Sequence, residues 1–150
     1  MTTPKILAAA LLALVLCSCS HPREQYSFFF APGRGAYDFE LRIDSSEARY
    51  ETSIACRYNA AYIRDTVIPV TITVTAPDGR TAEDFIDLPL ELREGVTVRR
   101  ADGSRTDIRW PWRRHVQVAD TGLWKVTLSL DAASQHRHVQ GMGISIRLED

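Results

Sequence analysis

Three groups of residues in this 150-residue chain have the types and spacing to do chemistry. Cys17 and Cys19 stand two apart behind the apolar run Ile6 to Leu16, and Cys56 is the remaining thiol. A Cys-x-Cys pair can be half of a disulfide set, the start of a metal site or a point of lipid attachment. Trp110-Pro111-Trp112-Arg113-Arg114-His115 is the second group. Tryptophans two apart on a strand share a face, where they can stack on a sugar or grip a partner protein while Arg113 and Arg114 hold acidic groups. The competing reading has both indoles covering the open end of a sandwich, with Pro111 marking an edge strand. His136-Arg137-His138 is the third, since alternate imidazoles can begin a metal site. No Cys-x-x-Cys or His-Glu-x-x-His completes that set, so it reads as a solvated loop, with no metal or other cofactor expected.

Residues around the cysteines choose among their chemistries. Met1 to Lys5 carries one positive charge, and the eleven residues from Ile6 to Leu16 contain nothing polar, the layout of an export signal. As a helix they would rise only about 16 Å, roughly half a bilayer core of about 30 Å, so a permanent span is not expected. Leu16-Cys17-Ser18-Cys19 resembles a bacterial lipobox, in which the last Cys becomes the lipid-bearing first residue of the mature chain. Cys19 is therefore the expected lipidation site. That leaves Cys56 as the one mature thiol, without a disulfide partner, inside an apolar alternation that suits a small buried hydrophobe.

Composition narrows the function classes. A formal charge of −1 leaves no basic field to attract nucleic acid. Arginine accounts for 16 of the 18 basic residues, but it is spread over the whole chain, as in a GC-rich genome. Neither a Gly-x-Ser-x-Gly elbow nor a phosphate-cradling glycine loop is present. Asp38, Glu40, Asp84 and Asp87 could pair as acid and base, but they alternate with apolar residues as a solvated β face does. No enzyme and no catalytic residue is expected.

The elements that must position these groups are strands. Ile68, Val70, Ile72, Val74 and Ala76 alternate with polar residues, and Pro77-Asp78-Gly79-Arg80 then supplies a turn. Further inward rows are Tyr37-Phe39-Leu41-Ile43, Tyr50-Thr52-Ile54-Cys56-Tyr58, Trp124-Val126-Leu128-Leu130 and Met142-Ile144-Ile146-Leu148. Strand-like stretches also cover residues 26–30, 85–90, 96–99 and 108–118, while Glu91 to Gly95 and Asp131 to Gln140 read as loops. Eight or nine strands with one polar face each predict an all-β fold, an antiparallel β-sandwich of Ig-like or jelly-roll-like kind. The expected division is a lipoprotein signal peptide over 1–18, a lipid-anchored tether over 19–25 and one β-sandwich domain over 26–150.

Several of these segments together resemble a known family. Phe28-x-Phe30, Tyr37-Asp38-Phe39-Glu40-Leu41-Arg42-Ile43 and Tyr50-Glu51-Thr52-Ser53 are followed by Val74-Thr75-Ala76-Pro77-Asp78-Gly79 and Phe85-Ile86-Asp87-Leu88-Pro89-Leu90. Gly122-x-Trp124-x-Val126 and the ending Val139-x-Gly141-Met142-Gly143-Ile144-Ser145-Ile146-Arg147-Leu148-Glu149 complete the set. With the lipoprotein signal, this ensemble is similar to the gliding-motility lipoprotein GldH family of Bacteroidetes. Two segments depart from that pattern, Asp102-Gly103-Ser104 with the Trp-Pro-Trp stretch, and Asp131-Ala132-Ala133-Ser134-Gln135. The resemblance implies an outer-membrane lipoprotein, expected to face the periplasm, that serves as a non-catalytic assembly or interaction module with envelope protein partners. The alternative expectation is a glycan-binding sandwich using Trp110 and Trp112.

Overall fold

The computed structural model describes residues 23–63, 66–90, 95–102, 104–131 and 138–150. Nine strands follow one another: β1 (Glu24–Phe30), β2 (Ala36–Ile43), β3 (Tyr50–Asn59), β4 (Val67–Thr75), β5 (Thr81–Pro89), β6 (Thr97–Asp102), β7 (Arg105–Val116), β8 (Gly122–Leu130) and β9 (Val139–Leu148). They form a five-stranded sheet in the order β1-β9-β3-β7-β6 and a four-stranded sheet in the order β2-β8-β4-β5. Every pairing is antiparallel. The chain is an all-β sandwich, as its alternation predicts.

Each inward row lands where its spacing sends it. Tyr37, Ile54, Ile72, Ile108, Leu128, Met142 and Ile144 are almost wholly enclosed between the sheets. Burying a side chain of this size stabilises the fold by about 1.5–3 kcal/mol relative to exposure. Cys56 lies in the same layer, and burial pushes its thiol well up, out of the range of a reactive thiolate. The Tyr37 hydroxyl, pushed up to about 12 by burial, donates to the Ala31 carbonyl oxygen at 2.7 Å.

Turns and edges fix the rest. Gly79, at φ 89°, donates to the Ala76 carbonyl at 2.9 Å and closes the β4–β5 hairpin, and Asp78 accepts from the Arg80 amide at 3.0 Å. Thr81 thereby pairs with Thr75, so β5 starts four residues before the stretch of strand read from Phe85. Phe85 then falls on the outward row and is 73 % exposed, while Leu88 points inward.

β1 begins at Glu24. The last two residues assigned to the tether are thus strand, and Gln25 has a structural task there. Its side-chain amide donates to the Arg42 carbonyl at 2.5 Å and accepts from the Arg42 amide at 2.9 Å. One glutamine imitates a strand's backbone and clasps the exposed edge of β2 to β1. Leu148, expected inward, is 37 % exposed because it lies beyond the inter-sheet layer, held by its amide to the Arg23 carbonyl at 3.0 Å.

Candidate functional site

The Trp-Pro-Trp segment lies on β7, and alternation alone does not describe it. Register against β3 shifts twice, between Ser53 and Thr52 and between Thr52 and Tyr50, so Pro111, Arg113 and Val116 face Ser53, Thr52 and Tyr50, with Trp112 as one extra residue and Arg114-His115 together opposite Glu51 alone. Bulges re-aim side chains, and these two bring Trp112 and Arg113 together at the same mouth between the sheets. At the second bulge His115 adopts φ 55°, a left-handed conformation uncommon for a residue with a Cβ. Glu149 holds it there, accepting from the His115 amide at 2.7 Å and meeting Nδ1 at 2.7 Å.

The two tryptophans have different environments. Trp110 is 2 % exposed, and its Nε1–H donates to the Pro89 carbonyl at 2.7 Å. Its indole offers no face to a sugar, which removes half of the stacking platform expected from the sequence. Trp112 is half-buried and donates through Nε1 to Asp84 at 3.0 Å. Arg113 reaches the same carboxylate oxygen at 2.7 Å, and these two donors hold the Asp84 carboxyl below the usual carboxylate range. Arg114 points the other way, to Glu51 at 3.2 Å. Pro111 sits on β7 beyond the pairing with β6, which ends at the Thr97–Arg109 pair, so its missing N–H leaves no ladder bond unmade on that side.

Trp112 and Arg113 border a cavity of about 380 Å³ between the sheets, lined mainly by Ile43, Val74, Trp112, Val116, Val118 and Trp124. A second concavity lies on the opposite side of β7, on the outer face of the five-stranded sheet. Tyr26, Phe28, Ala55, Arg57, Asp107 and Arg109 surround a groove of about 420 Å³. Thr97 and Arg109 continue it into a polar hollow of about 220 Å³ beside Glu24, Glu51, Ser145 and Arg147.

Small residues explain that groove. Gly143 pairs with Phe28 and Ala55, and Ser145 with Tyr26 and Ser53, so the outward row at the sheet's centre has almost no side chain. The Phe28 ring lies down on this floor: a Cβ built on Gly143 would stand 2.8 Å from Phe28 Cδ2, and one on Gly141 2.7 Å from its Cε1. Above it, the Arg57 guanidinium lies 5.6 Å from the Phe28 centroid while binding Asp107 through two parallel bonds of 2.6 and 2.7 Å. Arg109 crosses two neighbouring strands to hydrogen-bond Ser145 at 2.5 Å and Glu24, and stands 5.6 Å from the Tyr26 centroid. Glu51 closes the row between Arg147 at 2.5 Å and Arg114 at 3.2 Å. No reading of the sequence singled out Tyr26, Arg57, Asp107 or Arg109. The available signal was Gly141-x-Gly143 inside a strand, since glycine there marks a close approach of other atoms.

Cys19 and His136 lie outside the described residues. His138 stacks on Tyr62 with ring centroids 5.3 Å apart. Among the described residues no three His, Cys, Asp or Glu side chains cluster closely enough to hold a metal ion, and no helix is long and apolar enough to cross a membrane. Asp38 accepts from the Thr127 hydroxyl at 2.7 Å on the outer face of the four-stranded sheet, away from Asp84.

No protein-family model matches the sequence, and no curated protein does. Among solved structures, the CspB protease of Clostridium perfringens aligns with a TM-score of 0.37 and 12 % identity over 84 % of this chain. The chain spans 25 % of that protein, and a likeness this slight carries no argument about activity.

Proposed function

We propose that this chain is a lipid-anchored interaction module of the bacterial cell envelope, held to the outer membrane through Cys19 and binding an envelope protein through the outer face of its five-stranded sheet. The observation that carries the reading is that face. Its groove is lined by Ala55, by the Tyr26 and Phe28 rings, the latter lying flat over Gly141 and Gly143, and by guanidinium–carboxylate pairs that continue past Ser145. Such a mixture of aromatic and arginine side chains is what protein interfaces use at their centres. Membership of a GldH-like group gives this role its specific name and rests on the segments quoted from the sequence.

A glycan ligand is the second reading, favoured by Tyr26, which is 53 % exposed at the groove's rim and is better placed than Trp110 to meet a sugar ring. Both readings use one face. A photo-crosslinking residue at Thr97, on that face, should yield an envelope-protein adduct in the native membrane, while the same residue at Lys125, on the outer face of the other sheet, should yield none. Equal adducts from both positions would sink the protein reading. Retention on envelope polysaccharide that is lost in Tyr26→Ala would replace it with the glycan reading. Mass spectrometry of the N-terminal peptide tests the anchor separately, and an unmodified Cys19 would remove the membrane from this account.

A further inference from the structure

The inter-sheet cavity lies at one particular end of the sandwich. Its lining comes from the last residues of β2, β4, β7 and β9 and the first of β3, β5 and β8. β1 starts at that same end, since Glu24 pairs with Arg147 and the Arg23 carbonyl accepts from the Leu148 amide. Cys19 precedes Arg23 by four residues, a reach of about 14 Å at most when fully extended. An anchor on Cys19 would therefore hold the cavity's end of the domain close to the lipid surface.

The lining excludes ligands that need hydrogen bonds. Trp112 Nε1 is committed to Asp84, Trp124 Nε1 donates to the Asp120 carbonyl at 3.0 Å, and the Thr52 hydroxyl accepts from the Arg113 amide at 3.1 Å. Glu83, Asp84 and Arg113 bring charge to the lining on one side, and the remaining surface is Leu, Ile, Val, Ala and indole. Water entering would find few partners, and an apolar space of this kind stays dry or takes hydrocarbon. Its volume of about 380 Å³ falls within the roughly 300–1,000 Å³ of ligand sites. At the mouth, Trp112 and Trp124 are half-buried, amphipathic groups suited to a membrane boundary.

From this geometry we infer that the cavity takes up one acyl chain of a phospholipid from the membrane to which the domain is tethered. The inference rests on the anchored reading above. Insertion would add a buried hydrocarbon contact to the tether, and it would fix the sandwich's tilt so that the outer face of the five-stranded sheet stands clear of the lipid. The fixed ion pair of Arg113 and Asp84 at the lip leaves the headgroup outside.

The test uses the full lipidated chain reconstituted in phosphatidylethanolamine and phosphatidylglycerol vesicles whose acyl chains carry a photoactivatable diazirine. Irradiation should place a phospholipid adduct on peptides containing Trp112 to Val118 and Trp124. Val118→Trp, which fills the mouth, should reduce that adduct about tenfold, in the range expected for replacing a bound chain by a well-packed side chain. Val118→Glu is the second variant, lowering occupancy by charge, with thermal unfolding run on both to show that the sandwich persists. Adducts confined to the N-terminal peptide overturn the proposal, as does labelling unchanged by either folded variant. The absence of any adduct on the cavity peptides, which would also result if the anchor's own chain filled the space, overturns it too. If Cys19 proves to carry no lipid, the anchored reading fails by itself, and the same labelled lipid supplied in micelles still reports whether the cavity binds a chain.

Discussion

On the outer face of the four-stranded sheet the central rows are Thr71, Thr73, Lys125, Thr127 and Ser129, partly buried short polar side chains around an exposed lysine. Across the molecule, the outer face of the five-stranded sheet has Gly141, Gly143, Ser145, Ser53 and Ala55 at its centre, roofed by Phe28, Arg57 and Arg109. Both rows come from strands with the same alternation and the same kind of buried partner row. The contrast teaches that an outward row of very small residues is a different device from one of threonines: it makes room for larger groups from neighbouring strands to lie flat across the sheet. One face leaves its short side chains beside an open hollow of about 450 Å³ next to Phe85, with no side chain laid across the row. The other is finished by its own aromatic and guanidinium groups, and it carries the groove.

The strongest way to break that contrast is to give the floor a side chain. Gly143→Val would set branched carbon where the Phe28 ring and the Ser27 carbonyl already stand 2.8 and 2.9 Å from an ideal Cβ. Either the ring lifts or the β1 backbone moves. Overpacking of this sort costs about 1–3 kcal/mol, and loss of the Arg57–Phe28 stacking adds to it. The expected result is a fall of about 3 kcal/mol in stability from urea unfolding, with a larger exposed groove area visible as lost protection of β1 amides. Ser129→Ile, which adds branched carbon to the outward row of the other sheet, should change stability by no more than about 0.5 kcal/mol. Similar losses from both variants would erase the distinction drawn between the faces.

Acid sharpens the same contrast at an intermediate magnitude. Glu51 is 17 % exposed and lies between two guanidinium groups, and its hydrogen bond with Arg147, ahead of the nearby charges, holds its carboxyl below the usual range. A carboxylate whose folded pKa is depressed contributes stability that is present above the unfolded value of about 4.3 and is lost as pH falls through the folded one. Glu51→Gln should therefore cost about 1 kcal/mol near pH 7 and progressively less below about pH 4, so that the two stability curves converge in acid. A gap independent of pH would mean that packing, and no ion pairing, supplies the difference.

How far this arrangement was legible in the sequence follows the same physical divide. Inward rows announce themselves through period-2 hydrophobicity, so Tyr37 to Ile43, Tyr50 to Tyr58 and Ile68 to Ala76 were readable with their faces. What pairs with what across long sequence distances was not. Arg109 meets Glu24 across 85 residues and Trp112 meets Asp84 across 28, contacts set by strand order, which local spacing does not encode. The bulges in β7 were also hidden, because an inserted residue in a polar-aromatic strand looks like ordinary alternation. They decide that Trp112 and Arg113 face one mouth, and so they decide which expected site residues work together. Trp110 was the costliest ambiguity: its spacing fits equally a ligand platform and a core, and the sheet above it, with the Pro89 carbonyl for its N–H, settles the matter for the core.

The smallest effect belongs to the solvated face, and it tests the comparison from the other side. The Thr127 hydroxyl donates to Asp38 at 2.7 Å, a good hydrogen bond by length on the outer surface of the β2–β8 pair. Water competes for both partners, however, and neither side chain roofs a hollow or separates buried groups. Removing the carboxylate in Asp38→Ala exchanges one protein bond for bonds to solvent, a loss expected to stay within about 0.5 kcal/mol. A double-mutant cycle with Thr127→Val should give a coupling of similar small size, measured by urea unfolding. Coupling above about 1.5 kcal/mol would show that this pair is shielded as the Arg57–Asp107 pair is, and the four-stranded face would then need a covering partner of its own to account for it.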